Sequence, residues 1–285
     1  MIRSVCAVGR ALAVLAAIVV AVLHFAALCA VRGRRPTLAE RARWLHLLCR
    51  RVLKTLNVAV DAMGAMPPSG LLVANHLSYL DIVVFGALAP AVFVAKAEVR
   101  SWPLISLMAR LGGTIFIDRW KLRRLPAVIA QAEAALRDGA LLVVFPESTT
   151  TDGSVMLPFR PALFEAAVRS KTNVVASHIS YTVEDGRFAS ELCWWGEVQL
   201  LPHLARMFSK ESIHAHLRFG SPGSCFAARK AAAAATYAEV AELRGQAAQG
   251  HGPASQPSMI SVTSAEPTVW QATKAGSSRA EACSE

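Results

Sequence analysis

A histidine and an aspartate five residues apart are the residues of this 285-residue chain best suited to acid–base chemistry. They are His76 and Asp81, in the string Asn-His-Leu-Ser-Tyr-Leu-Asp that follows the apolar run 71–74. The run predicts a short buried strand, and Ser78 followed three residues later by Asp81 is typical of a helix start. On one continuous helix the pair would point about 140° apart. A strand–turn–helix corner would instead let the carboxylate face the imidazole.

Such a pair can act as a general base. A carboxylate that accepts the proton of one ring nitrogen leaves the other nitrogen free to take a proton from a hydroxyl. The Ser-x-x-Asp spacing has a second interpretation, because it is also a capping box that only starts a helix. Both interpretations make Ser78 a cap, but they compete for the carboxylate of Asp81.

The N-terminal part of the chain is apolar enough to enter a membrane. From Ala11 to Val31 there are 21 residues without a formal charge, which as a helix match a hydrocarbon core of roughly 30 Å. The run is longer than the apolar region of a signal peptide, and arginines rather than a small-residue cleavage site follow it. We therefore predict a transmembrane anchor over residues 1–35. The arginines that follow it predict a catalytic domain on the cytoplasmic side of the cell (inner) membrane.

The formal net charge of +10 is concentrated next to this anchor. Residues 32–54 carry eight Arg or Lys and one Glu. Basicity at this place fits anionic lipid headgroups, so membrane lipids rather than nucleic acid are the predicted partner. Leu45, Leu48, Val52 and Leu56 recur at helical spacing, which predicts a basic amphipathic helix within residues 36–60. That helix would lie either in the membrane interface or on the protein core.

Short apolar runs alternate with helical stretches in the rest of the chain. The runs are 71–74, 91–95, 114–117, 141–145 and 173–179, and the clearest helical stretches are 122–137 and 161–169. This alternation predicts one α/β domain over residues 61–244, with a central, mostly mixed sheet covered by helices. Residues 245–285 lack periodicity and are predicted to be a disordered tail. His214 and His216 share one strand side without a third ligand, so no metal site is predicted.

Three further strings place polar residues just after apolar runs. The first ends in Lys96, the second in Arg119, and the third is the proline- and hydroxyl-rich string 145–153. Open α/β sheets bind ligands beyond the carboxyl ends of their strands. Taken singly, each string is more often a solvated strand edge or a turn than a binding site.

Together and in this order, the strings resemble the glycerolipid acyltransferase family that includes 1-acylglycerol-3-phosphate acyltransferase, over roughly residues 35–220. The matching positions are Asn75, His76, Ser78 and Asp81, then Gly113, Phe116, Ile117 and Arg119, then Phe145, Pro146, Glu147 and Thr149. The resemblance implies that the histidine takes a proton from an acceptor hydroxyl, which attacks an acyl thioester on coenzyme A or acyl carrier protein. It implies no cofactor. The matched motifs, together with the strand-end cation and the turn after the third strand, give the predicted substrate-binding set Asn75, Lys96, Arg119, Glu147, Ser148 and Thr149.

The third motif departs from the family pattern. Where the family most often has Glu-Gly-Thr-Arg, this chain has Glu-Ser-Thr-Thr at 147–150. An arginine that would neutralise an acceptor phosphate is missing, and Lys96 and Arg119 remain as the cations for that task. The strings 149–153, 157–159 and 194–196 are similar to those of lyso-ornithine lipid acyltransferases. The expected acceptor is therefore 1-acylglycerol-3-phosphate, with lyso-ornithine lipid or another lysophospholipid as the alternative.

Two other classes of function account for fewer features of the sequence. A hydrolase would need a serine nucleophile, but the chain contains no Gly-x-Ser-x-Gly elbow. A non-catalytic membrane-surface module would explain the basic segment, but it leaves the histidine and its aspartate unexplained.

Overall fold

The apolar runs form the strands of one seven-stranded sheet. The computed structural model describes residues 2–118, 120–184, 191–221 and 223–249. Its strands are β1 Val58–Met63, β2 Gly70–Ala74, β3 Val92–Lys96, β4 Ile115–Ile117, β5 Leu141–Val144, β6 Val174–Val183 and β7 Ile213–Phe219. Its α-helices are α1 Ile2–Arg32, α2 Leu38–Thr55, α3 Tyr79–Leu88, α4 Pro103–Leu111, α5 Leu125–Arg137, α6 Phe164–Ser170, α7 Leu200–Phe208 and α8 Arg229–Gln249.

The sheet has the order β1-β7-β6-β2-β5-β3-β4. Strands β2 to β6 run parallel to one another, β7 is antiparallel to β6, and β1 is parallel to β7. This confirms the predicted α/β class with a mixed sheet. Because β2, β5, β3 and β4 are parallel neighbours, their carboxyl ends lie along one edge, and the predicted polar strings follow those ends.

Both faces of the sheet are covered by apolar side chains. Leu71 and Leu72, which point to opposite faces of β2, are both fully buried. The face of Leu72 packs against α2 and α3, and the face of Leu71 packs against α5, α6 and α8. Burial on both sides explains why β2 is a continuous apolar run rather than an alternating one.

Helix α2 lies on the protein core. Trp44, Leu48 and Leu53 are buried, and His46 Nδ1 donates to the Gly86 carbonyl of α3 over 2.8 Å. Of the two predicted positions for this amphipathic helix, the structure therefore shows docking on the core. The helix ends at Thr55 and β1 begins at Val58, so the sheet domain starts earlier than the predicted residue 61.

Helix α1 runs along α2 and α7. Trp44 Nε1 donates to the Ala21 carbonyl over 2.8 Å, and Arg10 donates to the carbonyls of Phe208, Lys210 and Glu211, where α7 ends. Residues 5–32 are long and apolar enough to cross a membrane, by length and composition. The predicted anchor is thus one continuous helix that is also attached to the domain along one side.

Two strands and one boundary differ from prediction. Strand β7 alternates buried and partly exposed residues, and the prediction treated His214 and His216 as a strand face without assigning the strand. The prediction assigns the first three residues of β1, 58–60, to the amphipathic segment. Helix α8 extends to Gln249, so the first residues of the predicted tail are helical because they continue the helix packed on β6. Residues 250–285 lie outside the described residues.

Candidate active site

A sharp corner connects β2 to α3. The strand ends at Ala74, and Ser78 is the N-cap of the helix, its Oγ accepting the N–H of Leu80 over 3.3 Å. Ser78 is fully buried. Because its hydroxyl is enclosed and used by the helix start, it does not serve as the nucleophile of a hydrolase triad.

The corner brings His76 and Asp81 together. The imidazole Nδ1 lies 2.7 Å from the Asp81 Oδ2 atom. The aspartate is fully buried, whereas the histidine side chain keeps 16% of its surface exposed. With Nδ1 donating to the carboxylate, Nε2 carries the lone pair, and no hydrogen bond from a described residue reaches that nitrogen. An accessible imidazole nitrogen in this state can accept a proton.

Asp81 serves both predicted roles at once. Its Oδ2 atom also accepts the backbone N–H groups of Leu77 (2.8 Å) and Ser78 (3.0 Å), which completes the capping box. Its Oδ1 atom accepts the Tyr181 hydroxyl over 2.6 Å. The assumed competition between helix cap and base partner was wrong, because a carboxylate has lone pairs enough for both.

The imidazole is also fixed by an aromatic contact. The Phe145 ring, just beyond β5, stacks on His76 with centroids 4.1 Å apart and planes 14° from parallel. Stacking keeps the imidazole ring from tilting out of its plane, while the hydrogen bond to Asp81 fixes the direction in which Nδ1 points. The sequence motif contained this phenylalanine, but the contact could only be found from the adjacent positions of β2 and β5.

Glu147 braces the corner from inside the protein. It is 4% exposed, and its two oxygens accept the backbone N–H groups of His76 (2.9 Å) and Leu157 (2.8 Å). Burial raises the pKa of its carboxyl above the ordinary value, against the opposing effect of these two hydrogen bonds. In the structure Glu147 contacts the main chain of His76, and its role in substrate binding stays a prediction.

Asn75 contacts the neighbouring strand β6, and its role in substrate binding likewise stays a prediction. Its amide nitrogen donates to the Ile179 carbonyl over 2.9 Å, and its amide oxygen accepts the Ile179 N–H over 2.8 Å. The residue is buried. These two hydrogen bonds continue the pairing of β2 with β6 through the Asn75 side chain, and they hold the chain in place where the corner begins.

The remaining predicted substrate residues lie at the ends of the neighbouring strands. Lys96 ends β3, and its Nζ atom lies 3.5 Å from the Thr149 hydroxyl in the turn after β5. Ser148 in the same turn has a φ of 62°, in the left-handed region. Arg119 lies outside the described residues.

Tyr181 is the residue of the site that sequence reasoning missed. It lies on β6, 100 positions from Asp81, and is buried. No local spacing links it to the His-x4-Asp motif. The available signal was the apolar strand 174–183 itself, which runs beside β2 and carries its side chains into the same layer. Among the described residues, no group of three His, Cys, Asp or Glu side chains could hold a metal ion.

Comparison with known proteins shows the family to which this fold and corner belong. A family model described as Acyltransferase matches residues 58–180. A lyso-ornithine lipid O-acyltransferase of Rhodobacter capsulatus is 36% identical over 208 residues, which cover 70% of this chain and 75% of that protein. The chain belongs to the acyltransferase family.

Other acyltransferases give similar matches. A lyso-ornithine lipid O-acyltransferase of Rhizobium meliloti is 36% identical over 193 residues, 62% of this chain and 66% of that protein. A 1-acyl-sn-glycerol-3-phosphate acyltransferase of Neisseria meningitidis is 36% identical over 151 residues, 52% of this chain and 59% of that protein. The chain thus spans slightly less than two thirds of these two relatives.

One solved structure shares the fold of this acyltransferase domain. The crystal structure of the 1-acyl-sn-glycerophosphate acyltransferase from Thermotoga maritima superposes with a TM-score of 0.55 at 19% identity, covering 85% of this chain and 97% of that one.

Proposed function

We propose that this protein is a membrane-bound O-acyltransferase that moves a fatty acyl group from a thioester to the free hydroxyl of a lyso-lipid. The observation that carries the proposal is the His76–Asp81 pair, whose Nδ1 is occupied by a buried carboxylate and whose Nε2 is open. The expected donor is acyl-CoA or acyl carrier protein, and no further cofactor is expected.

The chemistry needs a base and positioning rather than a covalent nucleophile. As the acceptor oxygen attacks the thioester carbonyl, His76 Nε2 takes the hydroxyl proton and Asp81 stabilises the resulting imidazolium. When the tetrahedral intermediate collapses, the C–S bond breaks and the imidazolium returns its proton to the departing thiolate. Holding both substrates in place supplies much of the remaining rate enhancement.

We propose 1-acylglycerol-3-phosphate as the acceptor, with lyso-ornithine lipid or another lysophospholipid as the alternative. Lys96 lies beside Thr149 at the same sheet edge as His76, and its ammonium group is suited to bind a phosphate. The missing arginine of the third motif favours the alternative, and the matched relatives include enzymes named for both acceptors.

A mass-spectrometric transfer assay tests this proposal. Lysophosphatidate, other lysophospholipids and lyso-ornithine lipid are offered side by side with acyl-CoA and acyl carrier protein donors. We expect one product class for the wild type and none for His76→Ala, because general-base catalysis contributes roughly 10²- to 10⁴-fold. His214→Ala, a histidine on β7 beside Glu184, is the matched control and should keep its turnover.

The opposite results would each exclude a part of the proposal. Turnover retained by His76→Ala contradicts the mechanism. Liposome binding by the wild type without turnover on any acceptor favours the non-catalytic membrane module instead.

We further propose that α1 embeds the protein in the cell (inner) membrane, with the catalytic domain on the cytoplasmic side. The single crossing that the sequence predicts requires α1 to leave its contacts with α2 and α7, and cysteine labelling tests it. Cys6 and Cys29 lie near opposite ends of the helix, about 35 Å apart at 1.5 Å per residue. With the other cysteines replaced by serine, a membrane-impermeant maleimide applied to intact cells with a permeabilised outer layer should label Cys6 and not Cys29. Equal protection of both thiols would place the two ends of α1 on the same side.

A further inference from the structure

We propose that Tyr181 is a positioning residue that fixes and tunes the carboxylate of Asp81, so that His76, Asp81 and Tyr181 act as one unit. The inference rests on the proposed function of His76 as a base. It concerns a residue 100 positions away from the aspartate, on a different strand.

The two oxygens of Asp81 are used unequally. Oδ2 accepts three N–H groups, from the His76 ring and from the main chain of Leu77 and Ser78. Oδ1 accepts one, the Tyr181 hydroxyl at 2.6 Å. The three N–H donors all belong to the corner itself, so among the described residues the tyrosine is the contact that holds the carboxylate from the neighbouring strand β6. Removing it would leave the carboxylate plane free to rotate about Oδ2.

The hydroxyl is suited to donate at every pH at which the enzyme works. Burial, and next the negative charge of Asp81, raise the pKa of Tyr181 well above its ordinary value, so the phenol stays protonated. A protonated phenol shares the charge of the buried carboxylate. With that charge divided between Tyr181 and the imidazole, less of it remains to stabilise the imidazolium.

Two other titratable groups face this unit. Glu147, beyond β5, accepts the His76 main-chain N–H, and Cys193 lies near Asp81 with a thiol whose pKa burial raises to about 12. The thiol therefore stays neutral, and Glu147 is present in both variants compared below. Neither group replaces the hydrogen bond that Tyr181 gives to Oδ1.

Tyr181→Phe is the test, because it keeps the buried ring and removes only the hydroxyl. We expect kcat to fall about tenfold, a part of the gain that general-base catalysis provides, with KM changed less than about twofold. We also expect the acid limb of the kcat–pH profile to move to higher pH, because the carboxylate beside the imidazole regains the charge that the phenol had shared. Tyr79→Phe is the matched control: its partly buried hydroxyl lies 2.6 Å from His203 Nδ1, outside the unit.

A readout without turnover separates this inference from the proposed function. In ¹⁵N-histidine-labelled protein, the proton between His76 Nδ1 and Asp81 should move to lower field in Tyr181→Phe and stay in place in Tyr79→Phe. An unchanged resonance, or a kcat loss with the pH profile unmoved and equal to that of Tyr79→Phe, would overturn the inference. A wild type that transfers no acyl group would overturn the proposed function, while the resonance would still decide the role of Tyr181.

Discussion

Ser148 occupies a backbone conformation that suits glycine. Its φ of 62° lies in the left-handed region, where a side chain costs roughly 1–2 kcal/mol. The family most often has glycine at this position, so the structure gives a physical reason for that preference. Ser148 keeps the same turn, with its backbone in a strained conformation.

We expect Ser148→Gly to stabilise the protein by about 1 kcal/mol, the strain relieved less the extra entropy of glycine in the unfolded chain. Urea unfolding in detergent measures the change. Ser154→Gly, in the same loop but without a positive φ, is the control and should give no gain. Equal effects of the two substitutions would show that the turn at 148 is unstrained.

Glu147 makes stability depend on pH through its brace to the corner. Burial raises the pKa of its carboxyl above 4.5, so between the unfolded and folded pKa values the folded chain binds more protons. The contribution of this group is therefore fully present at acid pH and is lost as pH rises through the folded pKa. Glutamine does not titrate and offers one acceptor to two N–H groups.

Glu147→Gln should accordingly destabilise the protein by about 1–3 kcal/mol at acid pH, because one backbone N–H loses its acceptor. The deficit relative to wild type should shrink as pH is raised from about 4 to about 7. Unfolding free energies of both proteins, measured in parallel across that range, give the difference directly. A deficit that grows with pH contradicts the assigned sign.

At the scale of elements, helices α2 and α3 are packed at van der Waals distance. A Cβ atom added at Gly86 of α3 would lie 2.8 Å from Cys49 Sγ of α2, and the His46 side chain bonds to the same glycine carbonyl. This close approach is what holds α2 on the core rather than leaving its apolar face for lipid.

Gly86→Ala should therefore destabilise the protein by about 1–3 kcal/mol through overpacking. Gly245→Ala on α8 is the matched control, because nothing lies within 4 Å of the added atom. That substitution should be neutral or stabilise by up to about 1 kcal/mol. Thermal unfolding of the two variants measures both changes in stability. A loss of stability in Gly245→Ala but not in Gly86→Ala would contradict the close packing of α3 against α2 at Gly86.

The strands that can be predicted from the sequence are those whose residues are buried on both faces of the sheet. Strand β2 is covered on both faces, so Leu71 to Ala74 form an unbroken apolar run that sequence can recognise. Strand β7 is half-exposed, and its two histidines mask the alternation. The His76–Asp81 pair was predictable because its partners are five residues apart. The roles of Glu147 and Asn75 were not, since both bind main-chain groups, which have no sequence signature.

At the scale of the whole molecule, α1 presents two apolar faces. Val14, Ile18 and Phe25 pack against the domain. A second stripe at helical spacing is exposed, comprising Val5, Val8, Leu12, Leu15, Val19 and Leu23. A helix that is apolar all round, with only one face covered by protein, leaves the other face for lipid.

We expect the triple variant Leu12→Ser, Leu15→Ser, Val19→Ser to shift the protein from the membrane pellet to the soluble fraction. Each side chain withdrawn from lipid removes about 1.5–3 kcal/mol of transfer free energy, enough together to change partition by orders of magnitude. The matched variant Val14→Ser, Ile18→Ser should mainly lower the unfolding temperature, because it loosens α1 from α2 and α7. Identical pelleting of the triple variant and the wild type would show that the stripe does not contact lipid.

The carboxylate of Asp81 has one more consequence for the molecule. The same two oxygens begin α3, hold the imidazole and tie β6 to the corner. In the proposed function, a chain in which the first turn of α3 has frayed would therefore have lost its base as well. The acyl-transfer rate would then report on the folding of this single corner, and in a preparation of mixed quality it would measure the fraction of molecules whose β2–α3 turn is intact.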